Sequence, residues 1–566
     1  MPTDDGSAGS DRGARISRRR LVAAAAGGTV LGASALAACG GRRSPFPSKG
    51  GSGETAAQPK RGGTLAVSHN FDRGIDPHVN QAQDSGIMGL FYQTLIRFSA
   101  PDFHLQPEIA TKWEVPSQTE LVFTLAPNVR WHDKPPVNGR PLKVDDIIYS
   151  YQRAGSSDPR FVNRSFLSSI QKMEAVDDRT LRLTLKQPDV TQLANLAIFS
   201  LAILAPEAVE AAKNTLNTAE ATAGTGPFVL QSSEPGVSSS LVRNPSYFKA
   251  GLPYLDKVML RAFKDYESEW AAFLAGQLDH RFVPGESSGS FVSEKKDQYG
   301  LSWFGDLAYG QTQAHTRKKP FDDPRVTRAL RLLLDHDEFK AGWANNWWGR
   351  GRFSVCFAAA TADPWDISED EYRQHLEWKQ PKDDAIKESL SLLNAAGFTN
   401  DKPLKFTLSC GGGNAPETTS GQLTQAQFKR NSQGAVDPTL RVVDNAAWNQ
   451  VRANGDFEYY AGGHSSGGTD PDTFFSSTYK TGGSRNYGKM SDPKLDAMFD
   501  QQKTLFDEQE RKKAVREIVL YMIDNLPYGS HVARYVLNAS QAKVHDFPPG
   551  SQSFEWGDQY ETIWMS

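Results

Sequence analysis

The chain is 566 residues long, 39% hydrophobic and 23% charged, with a net charge of −3. That length exceeds one compact core and predicts two or three domains, enough to enclose a large ligand cleft. Basic residues are scattered after the first fifty positions and form no continuous stripe of the kind a phosphate backbone requires, which excludes nucleic acid as a partner.

The N-terminus is the most specific stretch. Ser17-Arg18-Arg19-Arg20-Leu21-Val22 precedes an Ala/Gly-rich apolar run that ends in Leu36-Ala37-Ala38-Cys39-Gly40. A positive region, a weakly apolar segment and small residues predict an export signal over 1–39, and the arginine pair resembles the twin-arginine variety, which would carry a folded protein. The Leu-Ala-Ala-Cys ending resembles a bacterial lipobox, in which Cys39 receives a diacylglyceryl group and becomes the first residue after cleavage. A transmembrane anchor over 21–38 is the competing reading, but Gly27, Gly28, Thr29, Gly32 and Ser34 make the segment poorly hydrophobic. Residues 40–60, rich in Gly, Ser, Pro and charge, predict a flexible tether.

Strand and helix signals then mix along the chain. Leu121, Phe123 and Leu125, and again Leu181, Leu183 and Leu185, alternate as in half-buried strands. Val326, Ala329, Leu330 and Leu333 lie on one helical face, and Asp323-Pro324 supplies an N-cap followed by a first-turn proline. Ile386, Leu390 and Leu393 repeat that spacing before Gly397, a C-terminal cap. Val515, Ile518, Val519 and Met522 form a third apolar face. The fold class is α/β or α+β, and no repeat of 20 to 50 residues points to a solenoid or propeller. Cys356 and Cys410 form either a disulfide or two buried thiols, and their spacing does not decide between them. Neither lies in a Cys-x-x-Cys motif, and the eleven histidines show no His-x-His or His-Glu-x-x-His spacing, so neither a metal nor a cofactor is expected.

A series of short motifs follows in order over about 500 residues. It runs Arg61-Gly62-Gly63-Thr64-Leu65, Ile75-Asp76-Pro77-His78, Gln106-Pro107-Glu108-Ile109-Ala110-Thr111-Lys112-Trp113, Val129-Arg130-Trp131-His132-Asp133 and Val144-Asp145-Asp146-Ile147-Ile148-Tyr149-Ser150. Gly224-Thr225-Gly226-Pro227-Phe228, Arg243-Asn244-Pro245-Ser246-Tyr247-Phe248, Pro320-Phe321-Asp322-Asp323-Pro324-Arg325-Val326, Asp470-Pro471-Asp472 and Asn486-Tyr487 complete it. This series resembles the dipeptide/oligopeptide-binding family of ABC-importer receptors, solute-binding protein family 5. Most of the motifs read as structural. Gly224-Thr225-Gly226-Pro227 is expected to be a turn of unusual backbone geometry, and Trp131-His132-Asp133 to serve packing and a turn rather than catalysis.

The resemblance implies an α/β periplasmic-binding-protein-like fold of two lobes. Lobe I would comprise 61–100, 225–316 and 531–566, with an additional domain at 101–224, and lobe II would occupy 317–530. A monomer would enclose a small solute, peptide or oligosaccharide, between lobes joined by two crossing segments, and would deliver it to an ABC permease and ATPase complex from the outer face of the membrane. The implied ligand contacts are Trp448 as an apolar wall, Arg452 as a carboxylate partner, the backbone of Gly463, His464, Ser465 and Ser466 for strand-like pairing, and Gln81 and Gln83 across the cleft. One departure limits the substrate: peptide receptors of this family place an aspartate four residues before the proline to hold an α-ammonium, and this chain has Gly467 there. Ala461 likewise replaces an arginine. Asp470 or Asp472 would have to substitute, and a ligand without an amino terminus is the alternative. The run Trp343-Ala344-Asn345-Asn346-Trp347-Trp348 would suit an oligosaccharide, or else is core.

An enzyme reading rests on Gly285-Glu286-Ser287-Ser288-Gly289, which matches the Gly-x-Ser-x-Gly of serine hydrolases. A triad also needs a placed acid and histidine, and His315 or His336 is an arbitrary choice. Gly411-Gly412-Gly413 lacks the Lys-Ser/Thr of a phosphate-binding loop.

Overall fold

The computed structural model describes residues 58–69, 75–79, 85–99, 104–158, 160–161, 163–345, 350–412, 415–465, 470–548 and 559–566, all within one unit, Gly53–Ser566. Cys39 and the export signal lie outside the described residues. In chain order the strands are β1 (Thr64–Ser68), β2 (Ile96–Phe98), β3 (Leu105–Pro107), β4 (Ala110–Ser117), β5 (Glu120–Leu125), β6 (Ile170–Asp177), β7 (Thr180–Leu185), β8 (Phe228–Glu234), β9 (Ser238–Arg243), β10 (Lys257–Arg261), β11 (His280–Phe282), β12 (Tyr299–Ala314), β13 (Arg350–Arg352), β14 (Leu404–Gly411), β15 (Val436–Val443), β16 (Tyr459–Ser465) and β17 (Gly529–Gln541).

An antiparallel four-stranded sheet, β4-β5-β7-β6, is built on the two alternating leucine runs. Leu121 and Phe123 of β5 face Leu183 and Leu181 of β7, and all of these side chains are buried. The helix Val144–Ala154 contributes Val144, Ile147 and Tyr151 to the same core. Its Asp146 accepts two bonds from Arg140, each at 2.8 Å, and one from the Trp131 indole at 3.2 Å. His132 is equally structural: its Nδ1 accepts from the Gly224 amide at 3.3 Å and its Nε2 lies 3.1 Å from the Gly226 carbonyl. The Gly224–Gly226 turn departs from expectation in its cause. Neither glycine has a left-handed φ; a Cβ at Gly224 would sit 1.7 Å from the Phe91 carbonyl oxygen and one at Gly226 2.6 Å from its carbon. Close backbone approach, not conformational freedom, requires glycine there.

The large sheet runs β15-β14-β16-β12-β17-β11-β1-β10-β9-β8, with β13 also paired to β17. Its centre is an antiparallel ribbon of two long strands, β12 with 16 residues and β17 with 13. β11 pairs with the C-terminal end of β17, at Asn538–Ser540; β16 pairs with the C-terminal end of β12, at Ala308–Ala314. The ribbon therefore joins two half-sheets that lie against separate cores. One core gathers Leu65, Val67, Phe91, Phe228, Val258 and Ile563; another gathers Val326, Leu330, Phe406, Leu408, Phe428 and Tyr459.

The helices behave as their patterns require. Asp323 caps Pro324–Leu332 by accepting from the Arg325 amide, and Gly397 follows Asp383–Ala395 with φ +89°. In Asp383–Ala395 the fully buried stripe is Ala385, Ser389 and Leu393, shifted by one residue from the expected Ile386-Leu390-Leu393. The small residues admit the neighbouring helix, and Ser389 bonds the Ala329 carbonyl at 2.8 Å. Cys356 and Cys410 are free, buried thiols, and burial pushes Cys410 up to about 11.

Burial also keeps histidines neutral, His78, His132 and His280 among them. Desolvation lowers His78 and His132 to about 4 and His280 to about 3, whereas the unfolded chain protonates its histidines near 6.5. Between those values the unfolded state binds more protons, so the stabilising contribution is complete above about pH 6.5 and is lost as pH falls toward the folded values, on the order of 3 kcal/mol per histidine. Thermal melts should show a midpoint that is flat above pH 7 and drops steeply between pH 6.5 and 4; a midpoint that holds across that window contradicts this burial.

Candidate ligand-binding site

The helix Asn445–Asn454 carries Trp448 and Arg452 four residues apart, hence on one face. Trp448 is buried among Val443, Val451, Phe457 and Tyr460, and two glycines make room for it. A Cβ at Gly411 would lie 3.0 Å from its Cδ1, and one at Gly462 3.4 Å from its Cζ2. The Arg452 guanidinium stacks over Trp448 at 5.1 Å and over Tyr487 at 5.4 Å. From there it donates to the Gly463 carbonyl at 3.0 Å and to Asn449 at 2.5 Å. Trp448 thus offers Arg452 a flat support, while its own body belongs to the core.

β16 presents the expected backbone. Gly463 stands opposite Gly310 of β12, His464 opposite Tyr309 and Ser465 opposite Ala308. On the other side, the β14 register ends at Tyr460 among the described residues. The Gly463 amide donates to Glu417 Oε1 at 2.9 Å. Glu417 sits in the first turn of the helix Ala415–Asn431, four residues after the Gly411-Gly412-Gly413 run. Burial pushes its carboxyl above the usual range, while Arg452, the Gly463 amide and Arg534 pull it back. Sequence reasoning missed Glu417, having tested the glycine run only as a phosphate loop. The available signal was a glycine run followed four residues later by an acid in a helical first turn.

Other expected contacts fall elsewhere. Gln81, Gln83 and Ser466, with Gly467, lie outside the described residues. The motif beside the two glutamines is nonetheless locked: Arg153 bonds both Asp76 oxygens at 3.1 and 2.6 Å and His78 Nδ1 at 2.9 Å, and His78 Nε2 reaches the Ala202 carbonyl at 2.9 Å. Asp470 and Asp472, expected as substitutes for the missing aspartate, are engaged within the fold. Asp470 takes both Arg511 nitrogens at 2.7 Å and caps the short helix Pro471–Phe474 through the Asp472 amide. Asp472 takes Lys503 at 3.0 Å, together with Ser476 and Gln502. Both carboxylates are thus engaged by cations of the fold, Arg511 and Lys503. Trp343 is core, 2% exposed, with Arg534 over its ring at 5.9 Å; Trp347 and Trp348 lie outside the described residues. Ser287 falls within the helix Gly285–Lys295, whereas a nucleophile elbow places its serine on the turn before the helix. Among the described residues no cluster of three or more His, Cys, Asp or Glu could hold a metal.

Comparison with known proteins places this geometry. Residues 104–486, more than half of the chain, match the model for the middle region of bacterial extracellular solute-binding proteins, family 5. The chain belongs to this family. A glutathione-binding protein of Pectobacterium atrosepticum is 28% identical over 277 residues, 48% of this chain and 52% of that protein, so the chain spans about half the length of that relative. A putative binding protein of Brucella melitensis is 26% identical over 510 residues, 78% of this chain and 80% of that one. In shape the family 5 chain matches the Haemophilus influenzae OppA crystal structure, in complex with RPPGFSPFR, with a TM-score of 0.74 at 18% identity over 90% of this chain and 100% of that one. The Escherichia coli murein tripeptide binding protein gives 0.75 at 18%, covering 90% and 99%. The fold is therefore the two-lobed one of periplasmic peptide-binding proteins, as the motif series implied.

In this family 5 protein the Asp470–Arg511 pair is buried, the side chains being 10% and 6% exposed. Arg511→Met strands a buried carboxylate and should cost about 3–5 kcal/mol in urea unfolding. Adding Asp470→Asn should recover part of that loss. A cost below 1 kcal/mol for the single variant would show the pair to be incidental.

Proposed function

We propose that the chain is the receptor of an ABC importer: exported, tethered to the membrane through lipidated Cys39, and closing its two lobes on a peptide-class solute. The single observation that carries this reading is the β12–β17 ribbon, which joins two half-sheets on separate cores and holds the β16 edge beside it. Such a ribbon lets one body move against the other without breaking either core. Lobe I would comprise 61–100, 225–316 and 531–566, with an additional domain at 101–224, and lobe II 317–530.

In the closed form Arg452 meets a ligand carboxylate with Trp448 behind it, the main chain of Gly463 to Ser466 borders the ligand, and Gln81 and Gln83 contact it from lobe I. A ligand that touches both lobes only when they are shut shifts the population toward closure by its differential affinity, and the permease reads the closed shape. The peptide class is favoured by Arg452, a planar donor suited to carboxylates. It is also the class of the solutes named for the glutathione-binding and tripeptide-binding relatives. An oligosaccharide is the weaker alternative, since Trp343 is enclosed in the core.

Thermal-shift measurements against trialanine, glutathione and a neutral trisaccharide test the class, because a ligand of the native state raises its melting point. Trialanine or glutathione should stabilise the protein, and Arg452→Ala should abolish the effect; stabilisation by the trisaccharide alone would refute the peptide class. Cys39→Ser should release the protein from membranes into the soluble fraction, and persistent detergent-dependent membrane association would refute the lipid anchor.

A further inference from the structure

The free edge of β16 is closed by this chain's own side chains. Gly463 stands opposite Gly310, yet its amide goes to Glu417 and its carbonyl to Arg452, at 2.9 and 3.0 Å. In an antiparallel ladder, a residue that exchanges no bonds with its opposite number turns both main-chain groups away from that strand. Those outward groups are the pair that an added strand would take. The two side chains come from different helices, 46 residues before and 11 residues before the glycine, and converge on it from opposite charges.

The arrangement is built rather than casual. A Cβ at Gly463 would fall 2.8 Å from Glu417 Oε1, and one at Gly462 2.5 Å from Oε2, so a side chain at either position would push the carboxylate off the Gly463 amide. Arg452 is held in place by Trp448, Tyr487 and Asn449. Both contacts to Gly463 involve a charged partner, and such bonds are stronger than the neutral amide bonds that would replace them.

We propose that Glu417 and Arg452 form a gate against strand addition: they hold the N–H and C=O of Gly463 as a bound backbone would, so the receptor takes compact peptide-class solutes and rejects extended oligopeptides. The choice of ligand class rests on the reading given above; the gate itself does not. A compact solute with a carboxylate can still approach Arg452 by the donors that face away from Gly463, whereas an extended chain has to displace both side chains.

Hydrogen–deuterium exchange on the full-length, detergent-solubilised protein without ligand tests the gate directly. The Gly463 amide, read in fragments covering 459–465, should exchange slowly in the wild type, at least tenfold faster in Glu417→Ala, and near the wild-type rate in Glu417→Gln, which retains an acceptor. Unchanged exchange in Glu417→Ala overturns the gate. Melting shifts with trialanine and hexaalanine then test the size limit. The wild type should respond to trialanine and not to hexaalanine, and Glu417→Ala, which keeps Arg452 for the ligand carboxylate, should gain a response to hexaalanine. A wild type that hexaalanine stabilises as strongly as it does Glu417→Ala overturns the limit. If no alanine peptide shifts any variant, the peptide class fails while the exchange result still decides the gate.

Discussion

The structure depends on the pairing of β12 with β17. The two strands pair from Tyr299↔Gln541 to Gly305↔Tyr535, lose register, and resume at Tyr309↔Ala533. Across that step β12 advances four residues while β17 advances two, an irregularity that bends and twists a ribbon locally. Asp306 lies inside the step, and its carboxylate pairs with Arg534. Both side chains are largely buried, at 3% and 12% exposed. A buried pair of this kind adds little net stability, but removing one partner is costly; its consequence here is to fix where the ribbon bends. The half-sheets on either side inherit their relative placement from that point.

Buried charge is used in the same way elsewhere. Arg97, Glu108, Lys249 and Glu561 form a balanced cluster that draws the C-terminal residues against β2 and β3. Asp76 and Arg153 tie the segment after β1 to the helix Val144–Ala154. Arg511 and Asp470 tie the start of the short helix Pro471–Phe474 to the helix Glu508–Asn525. Each joins segments far apart in sequence, so each sets a position that hydrophobic contact, which is non-directional, leaves undetermined.

Much of this was legible in the sequence where one physical signal dominated. Alternation gave β5 and β7 because one face of that sheet is apolar and the other wet, and capping residues gave the helix boundaries. The ordered motifs gave the family because they are the places where main chain passes close to main chain, as at Gly224, or where a buried ion pair is formed, as at Asp76. The central ribbon was not legible. β12 carries Tyr309, Gln311, Thr312 and Gln313 in fully buried positions, and a polar run does not read as a central strand. These side chains are satisfied by partners distant in sequence: Tyr479 bonds both Tyr309 and Gln311, and Gln313 accepts from the Gly488 amide. Glu417 was illegible for the same reason, since its partner Gly463 is brought to it only by the fold. The pairing of Asp470 with Arg511 was illegible too, since the two are equally remote in sequence.

In the proposed function the β12–β17 ribbon lets one lobe close on the other around a bound solute. Small-angle X-ray scattering of the full-length protein during a trialanine titration measures this most directly. The account predicts a saturable fall in the radius of gyration, with the same midpoint as the heat of binding. Saturable heat with a constant radius would contradict it.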